Sequence, residues 1–136
     1  MALIVQKYGG TSMGSPERIR NVARRVARWK AQGHQLVVVV SAMSGETNRL
    51  IALAKDVSPQ PDGRELDVMI STGEQVTIAL LAMALKDIGV EAKSYTGGQV
   101  KVLTDSTHTK ARILHIEEGN MRRDLDQGTV VIVAGF

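Results

Sequence analysis

A short segment near the start of the chain combines residue types that suit phosphate binding. Lys7 precedes the adjacent glycines Gly9 and Gly10, and the hydroxyl residues Thr11 and Ser12 follow them. Glycines let backbone amides approach a polyanion closely, and the lysine adds a mobile positive charge. Because the lysine stands before the glycines, G-x-x-x-x-G-K-[ST] is not matched, and the spacing of the glycines does not match G-x-G-x-x-G either. The pattern indicates another kind of phosphate site; a surface lysine at an ordinary turn is the alternative.

The elements that would position this segment belong to an α/β pattern. The apolar run Leu3–Val5 predicts a strand, and Ser15 followed by Pro16 predicts the start of a helix. Residues 36–40, a leucine and four valines, predict a strand buried on both faces, as in a parallel sheet. The loop Ser41–Gly45 would then lie at the carboxyl edge of that sheet, where open α/β sheets bind ligands.

The rest of the chain continues the alternation of helices and strands. The predicted helices cover Thr47–Lys55, Glu65–Ile70, Glu74–Ile88 and Asn120–Asp126. The predicted strands cover Val90–Tyr95, Val100–Leu103 and Thr129–Ala134. Tight turns are predicted at Ser71–Gly73 and at Gly97-Gly98. We therefore expect an α/β fold, a three-layer α/β/α sandwich with a mainly parallel sheet.

Composition narrows the classes of function. The 136 residues include no cysteine, which excludes disulfides and thiolate metal sites, and the three histidines lack a metal-ligand spacing, so we expect no protein-only metal site. The sequence contains no run of about 18 apolar residues, so we expect no membrane span. The start of the chain also lacks a secretory signal pattern. We expect a cytoplasmic protein with no membrane partner.

The basic balance of the chain raises the question of nucleic-acid binding. The sequence pI is about 9.4, and much of the positive charge lies between Arg18 and Lys30. In the same segment the apolar residues recur at helical spacing, which makes the arginines the solvated face of an amphipathic helix. Interleaved aromatic residues and a recognisable binding module are missing from the sequence, so we expect no nucleic-acid partner.

Six segments together, in order along the whole chain, resemble the aspartokinases of the amino-acid kinase family. They are Lys7–Ser12, Val37–Met43, Ser71–Glu74, Thr96–Gln99, Thr104–Ile113 and Val131–Phe136. The resemblance implies transfer of the ATP γ-phosphoryl group to the side-chain carboxylate of L-aspartate. The product would be 4-phospho-L-aspartate, in the first step of lysine, threonine and methionine biosynthesis. The implied ligands are L-aspartate and ATP with Mg²⁺, the metal being carried by the nucleotide.

The resemblance also implies site residues. Lys7 would be the catalytic cation, within a phosphate- and nucleotide-binding set of Lys7, Gly9, Gly10, Thr11, Ser12 and Ser41. The implied substrate-binding set is Thr47, Glu74, Leu125 and Asp126. Glu74 would hold the α-ammonium of aspartate. Ordinary helix termini would also account for three of these residues: a carboxylate at a helix start for Glu74, an N-terminal hydroxyl for Thr47 and a solvated helix end for Asp126.

Compared with the family, residues 1–136 would form only the N-terminal, amino-acid-binding lobe. The nucleotide-binding half and the regulatory ACT domains would be absent, so we expect the isolated chain to be inactive. A truncated sheet leaves an unpaired edge and apolar surface, which predicts a homo-oligomer or self-association. Two alternatives stay open: a sibling kinase acting on glutamate, carbamate or a nucleotide, and a non-catalytic binding or assembly module.

Overall fold

The computed structural model describes residues 1–96, 102–104, 113–116 and 119–135. The strands within these ranges are β1 (Leu3–Tyr8), β2 (Gln35–Val40), β3 (Ala92–Tyr95), β4 (Val102–Thr104), β5 (Ile113–Ile116) and β6 (Val130–Ala134). The helices are α1 (Pro16–Ala31), α2 (Glu46–Val57), α3 (Gly63–Asp87) and α4 (Gly119–Asp126).

Four strands form the main sheet, in the order β1-β2-β6-β3. All three neighbouring pairs are parallel, and Lys7 lies opposite Val39 in the register of β1 and β2. Strands β4 and β5 form a separate antiparallel pair. The sequence-based expectation of an α/β fold with a mainly parallel sheet is confirmed.

Helices cover both faces of the sheet and make the three layers. On one face α1 and α3 pack against alternate strand residues and form the larger core, which includes Met13, Val38, Leu81 and Ile132. On the other face α4 forms a smaller core with Tyr95 and Val131. Burial of these aliphatic side chains is the main stabilising term of the fold.

Helix α3 differs from the prediction, because it runs through the predicted break at Ser71–Gly73. The hydroxyls of Ser71 and Thr72 donate to backbone carbonyls three residues earlier, at 2.8 and 2.6 Å, and so stay within the helix. Gly73 faces the loop after β2, where a Cβ would meet the Ala42 Cβ at 3.1 Å. The residues that suggested a turn serve instead a close contact between helix and loop.

The length and composition of α3 also meet the requirements for crossing a membrane, with a mean hydropathy of 1.6. Its buried residues, however, include Ile78, Leu81 and Leu85, which pack into the core on the sheet. This packing accounts for the apolar residues on the buried side of α3, which make up 33% of the apolar stretch.

Most other predicted boundaries agree with the structure to within a few residues. The Ser15 hydroxyl accepts from the Arg18 amide at 3.2 Å and caps α1 as predicted. The valines of β2 are fully buried on one face only and half-buried on the other. Strand β5 was not predicted. The predicted turn at Gly97-Gly98, Val100 and Lys101 of the next predicted strand, and most of the Thr104–Ile113 segment lie outside the described residues.

Candidate functional site

The loops that follow β1, β2 and β6 meet at the carboxyl edge of the sheet. The Ser41 amide donates to the Tyr8 carbonyl at 3.3 Å, and the Ser44 amide donates to the Gly10 carbonyl at 3.1 Å. From the end of β6, the Gly135 amide donates to the Val40 carbonyl at 2.9 Å. These backbone bonds hold the three loops together, at the edge where the sequence predicted a ligand site.

Gly10 is a glycine because its loop, residues 9–15 and below called the first loop, docks directly on a neighbouring backbone. A Cβ at this position would lie 3.0 Å from the Ala42 carbonyl oxygen and 3.3 Å from the Ser44 amide nitrogen. Gly9 has open space around it instead, since a Cβ there would meet nothing within 4 Å. The first glycine therefore leaves the loop open to a ligand, and the second sets the contact between the loops.

The cationic and hydroxyl side chains in and beside the first loop are available to a ligand. Lys7, Thr11 and Ser12 are all exposed. In the part of the chain that the structure describes, none of the three side chains makes a hydrogen bond or an ion pair. This segment thus presents a positive charge and two free hydroxyls beside the glycines.

Glu74 lies beside the same site on α3, in the middle of the helix rather than at its start. Capping by Glu74 is therefore excluded, since the helix begins eleven residues earlier at Gly63. The preceding Gly73 packs on Ala42 and on the Glu46 side chain, where a Cβ would lie 3.2 Å from Cγ. This contact places the Glu74 position next to the loop after β2.

The environment of the Glu74 carboxyl group is unusual for a charged residue. The side chain is half-buried, and burial raises the pKa of the Glu74 carboxyl above its ordinary value. No described residue donates a hydrogen bond or forms an ion pair with it. A partly desolvated carboxylate without a protein partner can accept a cationic group of a ligand.

Ser41 and Thr47 flank the loop between β2 and α2. Ser41 is half-buried, and its hydroxyl makes a long 3.4 Å hydrogen bond to the Ala42 carbonyl. Thr47 is exposed in the first turn of α2. Next to it, Glu46 pairs with Arg49 at 2.6 Å, and the Arg49 hydrogen bond lowers the pKa of the Glu46 carboxyl. Glu46 is thus paired within the protein, unlike Glu74.

Leu125 and Asp126 lie at the opposite end of the sheet. The Gln35 amide group, at the start of β2, donates to the Leu125 carbonyl and to the Asp126 carboxylate at 3.2 Å. Val39, the partner of Lys7, lies four positions after Gln35 on β2, which is about 13 Å along a strand. Leu125 is buried in the core under α4. The structure does not bring these two residues together with Lys7 and Glu74.

Sequence reasoning overlooked two glycines of the site. Gly73 permits the approach of α3 to the loop after β2, and a Cβ on Gly135 would collide with the Val39 side chain. Their signal in the sequence was a glycine beside a candidate ligand residue and a glycine at a strand end.

In the described ranges, no group of three or more acidic or histidine side chains could hold a metal ion.

Residues 2–136 match the amino acid kinase family. The chain belongs to this family. It is 66% identical over 136 residues to an aspartokinase from Pseudomonas aeruginosa, and it covers 33% of that protein. An aspartokinase from Thermus thermophilus is 52% identical, again over the full chain and 34% of the relative. The sequence-based resemblance to aspartokinases is confirmed.

Solved structures show the same fold. The aspartate kinase from Synechocystis superposes with a TM-score of 0.81 at 47% identity, over 98% of this chain and 22% of that one. The curated relatives named above are about three times as long as this chain, which spans about a third of their length. The fold described above is accordingly part of a larger kinase domain in such proteins.

Proposed function

We propose that this chain is the amino-acid-binding lobe of an aspartate kinase. The observation that carries the proposal is the half-buried, unpaired Glu74 carboxylate beside loops that also present Lys7. Zwitterionic amino acids and nucleotide phosphates need binding groups of opposite charge, and this edge supplies both. The high identity to aspartokinases supports the choice of L-aspartate.

In the proposed reaction the aspartate side-chain carboxylate attacks the γ-phosphorus of ATP, the bond from that phosphorus to the bridging oxygen breaks, and ADP leaves. That carboxylate is already ionised near neutral pH, so no general base is needed. The protein has to position the reactants and neutralise charge. Lys7 would balance the negative charge of the transferred phosphoryl group. The amides of Gly9 and Gly10 would donate to phosphate oxygens, together with the hydroxyls of Thr11 and Ser12.

On the substrate side, Glu74 would accept hydrogen bonds from the α-ammonium of aspartate. Ser41 and Thr47 flank the same loop and would contribute hydroxyl groups to the pocket. We leave Leu125 and Asp126 out of this pocket because of their place at the other end of the sheet. An aspartokinase III from E. coli, which shares the fold at 19% identity and a TM-score of 0.80, has been solved with aspartate and ADP.

Other parts of the proposal concern the complete protein. ATP would bring Mg²⁺, which coordinates mainly phosphate and water oxygens. The complete kinase would act in the cytoplasm in amino-acid biosynthesis. The 136 residues alone would bind without turnover, because the nucleotide-binding half would lie in the remaining two thirds. Homo-oligomer formation would cover apolar surface such as Leu3 and Val5, which are 46% and 64% exposed on β1.

Calorimetric titration of L-aspartate into the chain tests the proposal. We expect binding that Glu74→Gln weakens by about 10- to 150-fold, the value of one charge-assisted hydrogen-bonded contact. Asp67→Asn is the matched control, since Asp67 is an exposed acid on the same helix, and it should leave the affinity unchanged. Equal affinity for L-glutamate, or no effect of Glu74→Gln, would refute the assignment.

A further inference from the structure

A second candidate site lies beside the first loop, between β1 and α1. It is a cavity of about 390 Å³, referred to below as the basic pocket. Its lining residues are Tyr8, Ser12, Arg18, Asn21, Val22, Arg25 and Arg28. A volume of this size falls in the range of small-molecule sites.

The charge that the described residues bring to the basic pocket is positive. Among them, Arg18, Arg25 and Arg28 line the pocket, and no carboxylate does. Across the ranges that the structure describes, none of these arginines forms an ion pair. The spacing of seven and three residues puts the three guanidinium groups on one side of α1. Converging like charges repel one another, so a bound anion would stabilise this arrangement.

A contact with the first loop holds Arg18 in place, and Arg25 lies near the end of β1. The Arg18 Nη1 donates to the Thr11 carbonyl at 2.7 Å, which ties α1 to the first loop. Arg25 lies by the Tyr8 hydroxyl and opposes the rise in the Tyr8 pKa that burial causes. The Tyr8 hydroxyl also donates to the Gln6 side chain at 3.0 Å. The walls of the pocket are thus partly pre-organised before any ligand binds.

Arginines elsewhere on α1 have a different setting. Arg20 and Arg24 line a groove between α1 and α3 that also contains the Asp87 carboxylate. Arg24 donates to the Asn21 side chain as well. An amphipathic helix therefore explains Arg20 and Arg24 by itself, whereas it does not explain why three unpaired arginines line one cavity.

We propose that the basic pocket binds a phosphate group of a small molecule, at a site additional to the one formed by Lys7 and the glycines. The planar guanidinium forks of arginine match phosphate oxygens in bidentate geometry. The proposal does not depend on aspartate as the substrate. The phosphate has two possible sources, the polyphosphate of a nucleotide and a separate phosphorylated metabolite.

The test uses inorganic pyrophosphate as the probe, at constant ionic strength, with calorimetry and the melting temperature as readouts. The pocket variant is Arg25→Gln/Arg28→Gln. The matched control is Arg20→Gln/Lys30→Gln, which removes the same charge from the same helix at residues outside the lining of the basic pocket. We expect the pocket variant to weaken pyrophosphate binding at least about tenfold and to abolish the rise in melting temperature that the ligand causes. The control should behave like the parent chain.

Three results would overturn the proposal. They are no pyrophosphate binding to the parent chain, equal weakening in both double variants, and loss of pyrophosphate binding in Lys7→Gln while the pocket variant still binds. An ATP titration identifies the source of the phosphate if binding is seen. If the affinity for ATP falls in the pocket variant as well as in Lys7→Gln, the phosphate belongs to the nucleotide. If the affinity for ATP falls only in Lys7→Gln, the phosphate belongs to a separate metabolite.

Discussion

The contact between the first loop and the loop after β2 can be tested by exchanging one glycine for alanine. In Gly10→Ala the new Cβ would lie 3.0 Å from the Ala42 carbonyl oxygen and 3.3 Å from the Ser44 nitrogen. Both neighbours are backbone atoms, so neither can move aside cheaply. The adjacent Gly9→Ala is the matched control, because its Cβ would meet nothing within 4 Å. Neither glycine has a left-handed φ, so an alanine is not strained by the backbone.

The two variants should change the free energy of unfolding in opposite directions. Overpacking against a rigid neighbour costs about 1–3 kcal/mol. Replacing glycine by alanine also stabilises the folded state by about 0.4–1 kcal/mol, because the unfolded chain loses freedom. Gly10→Ala should thus lose about 1.3 kcal/mol of stability, and at most about 2.6 kcal/mol, whereas Gly9→Ala should gain about 0.4–1 kcal/mol.

Urea denaturation and thermal melting of the two variants measure this difference directly. For a chain of this length, a gap of about 2 kcal/mol corresponds to roughly 6–10 °C in melting temperature. The m-values should match that of the parent chain, since the surface exposed on unfolding is unchanged. If Gly10→Ala proves as stable as Gly9→Ala, the two loops are not in the close contact described, and the case for a preassembled site fails.

Two further predictions concern buried titratable groups. Burial raises the pKa of the Glu74 carboxyl in the folded state. Its favourable contribution to the free energy of unfolding is therefore fully present below the pKa of the unfolded state, and it is lost as the pH rises through the pKa of the folded state. Because burial disfavours the charged carboxylate, Glu74→Gln should be more stable than the parent at pH 7; solvent screening keeps the difference small, and it should vanish in acid. A gain that persists in acid would contradict this. Tyr95 donates to the buried Asp124, and burial and this bond raise the Tyr95 pKa to about 12. Tyr95→Phe should cost about 1–3 kcal/mol at pH 7, and only the parent should lose stability through this group as the pH rises from about 10 to 12; equal alkaline profiles would refute it.

Local rules predicted most of the fold because each element carries its own signal. The Ser15 cap and the unbroken valines of β2 depend on neighbours in the sequence. The same rules failed at Ser71–Gly73, where hydroxyl and glycine residues usually favour a turn. There the helix continues, since Gly73 fits against Ala42 on an element distant in sequence. Only tertiary packing could reveal that use of a glycine.

The candidate site was predictable in its residue types but not in its arrangement. The Lys7 segment and Glu74 were recognisable along the chain, and the structure places both beside the loop after β2. Leu125 and Asp126 lie at the far end of the sheet because of the direction in which α4 runs. The resemblance to a family names site residues but gives no helix direction, so this placement could not be predicted from it. Likewise, helical periodicity alone predicted that the arginines of α1 form a solvated face. Only the three-dimensional structure shows that some of these arginines line the basic pocket and others line the groove with Asp87.

The distribution of paired and unpaired charges separates groups that maintain the fold from groups that bind. Several acids have protein partners: Glu46 pairs with Arg49, Asp124 accepts from Tyr95, and Asp126 accepts from Gln35. At the carboxyl edge, Lys7 and the partly buried Glu74 have none in the described structure. Leaving Glu74 partly desolvated and unpaired lowers stability. Such a cost is typical of binding sites, where a ligand supplies the missing partner. The partly buried Glu74 beside the exposed Lys7 therefore supports the proposed ligand, which carries both signs of charge.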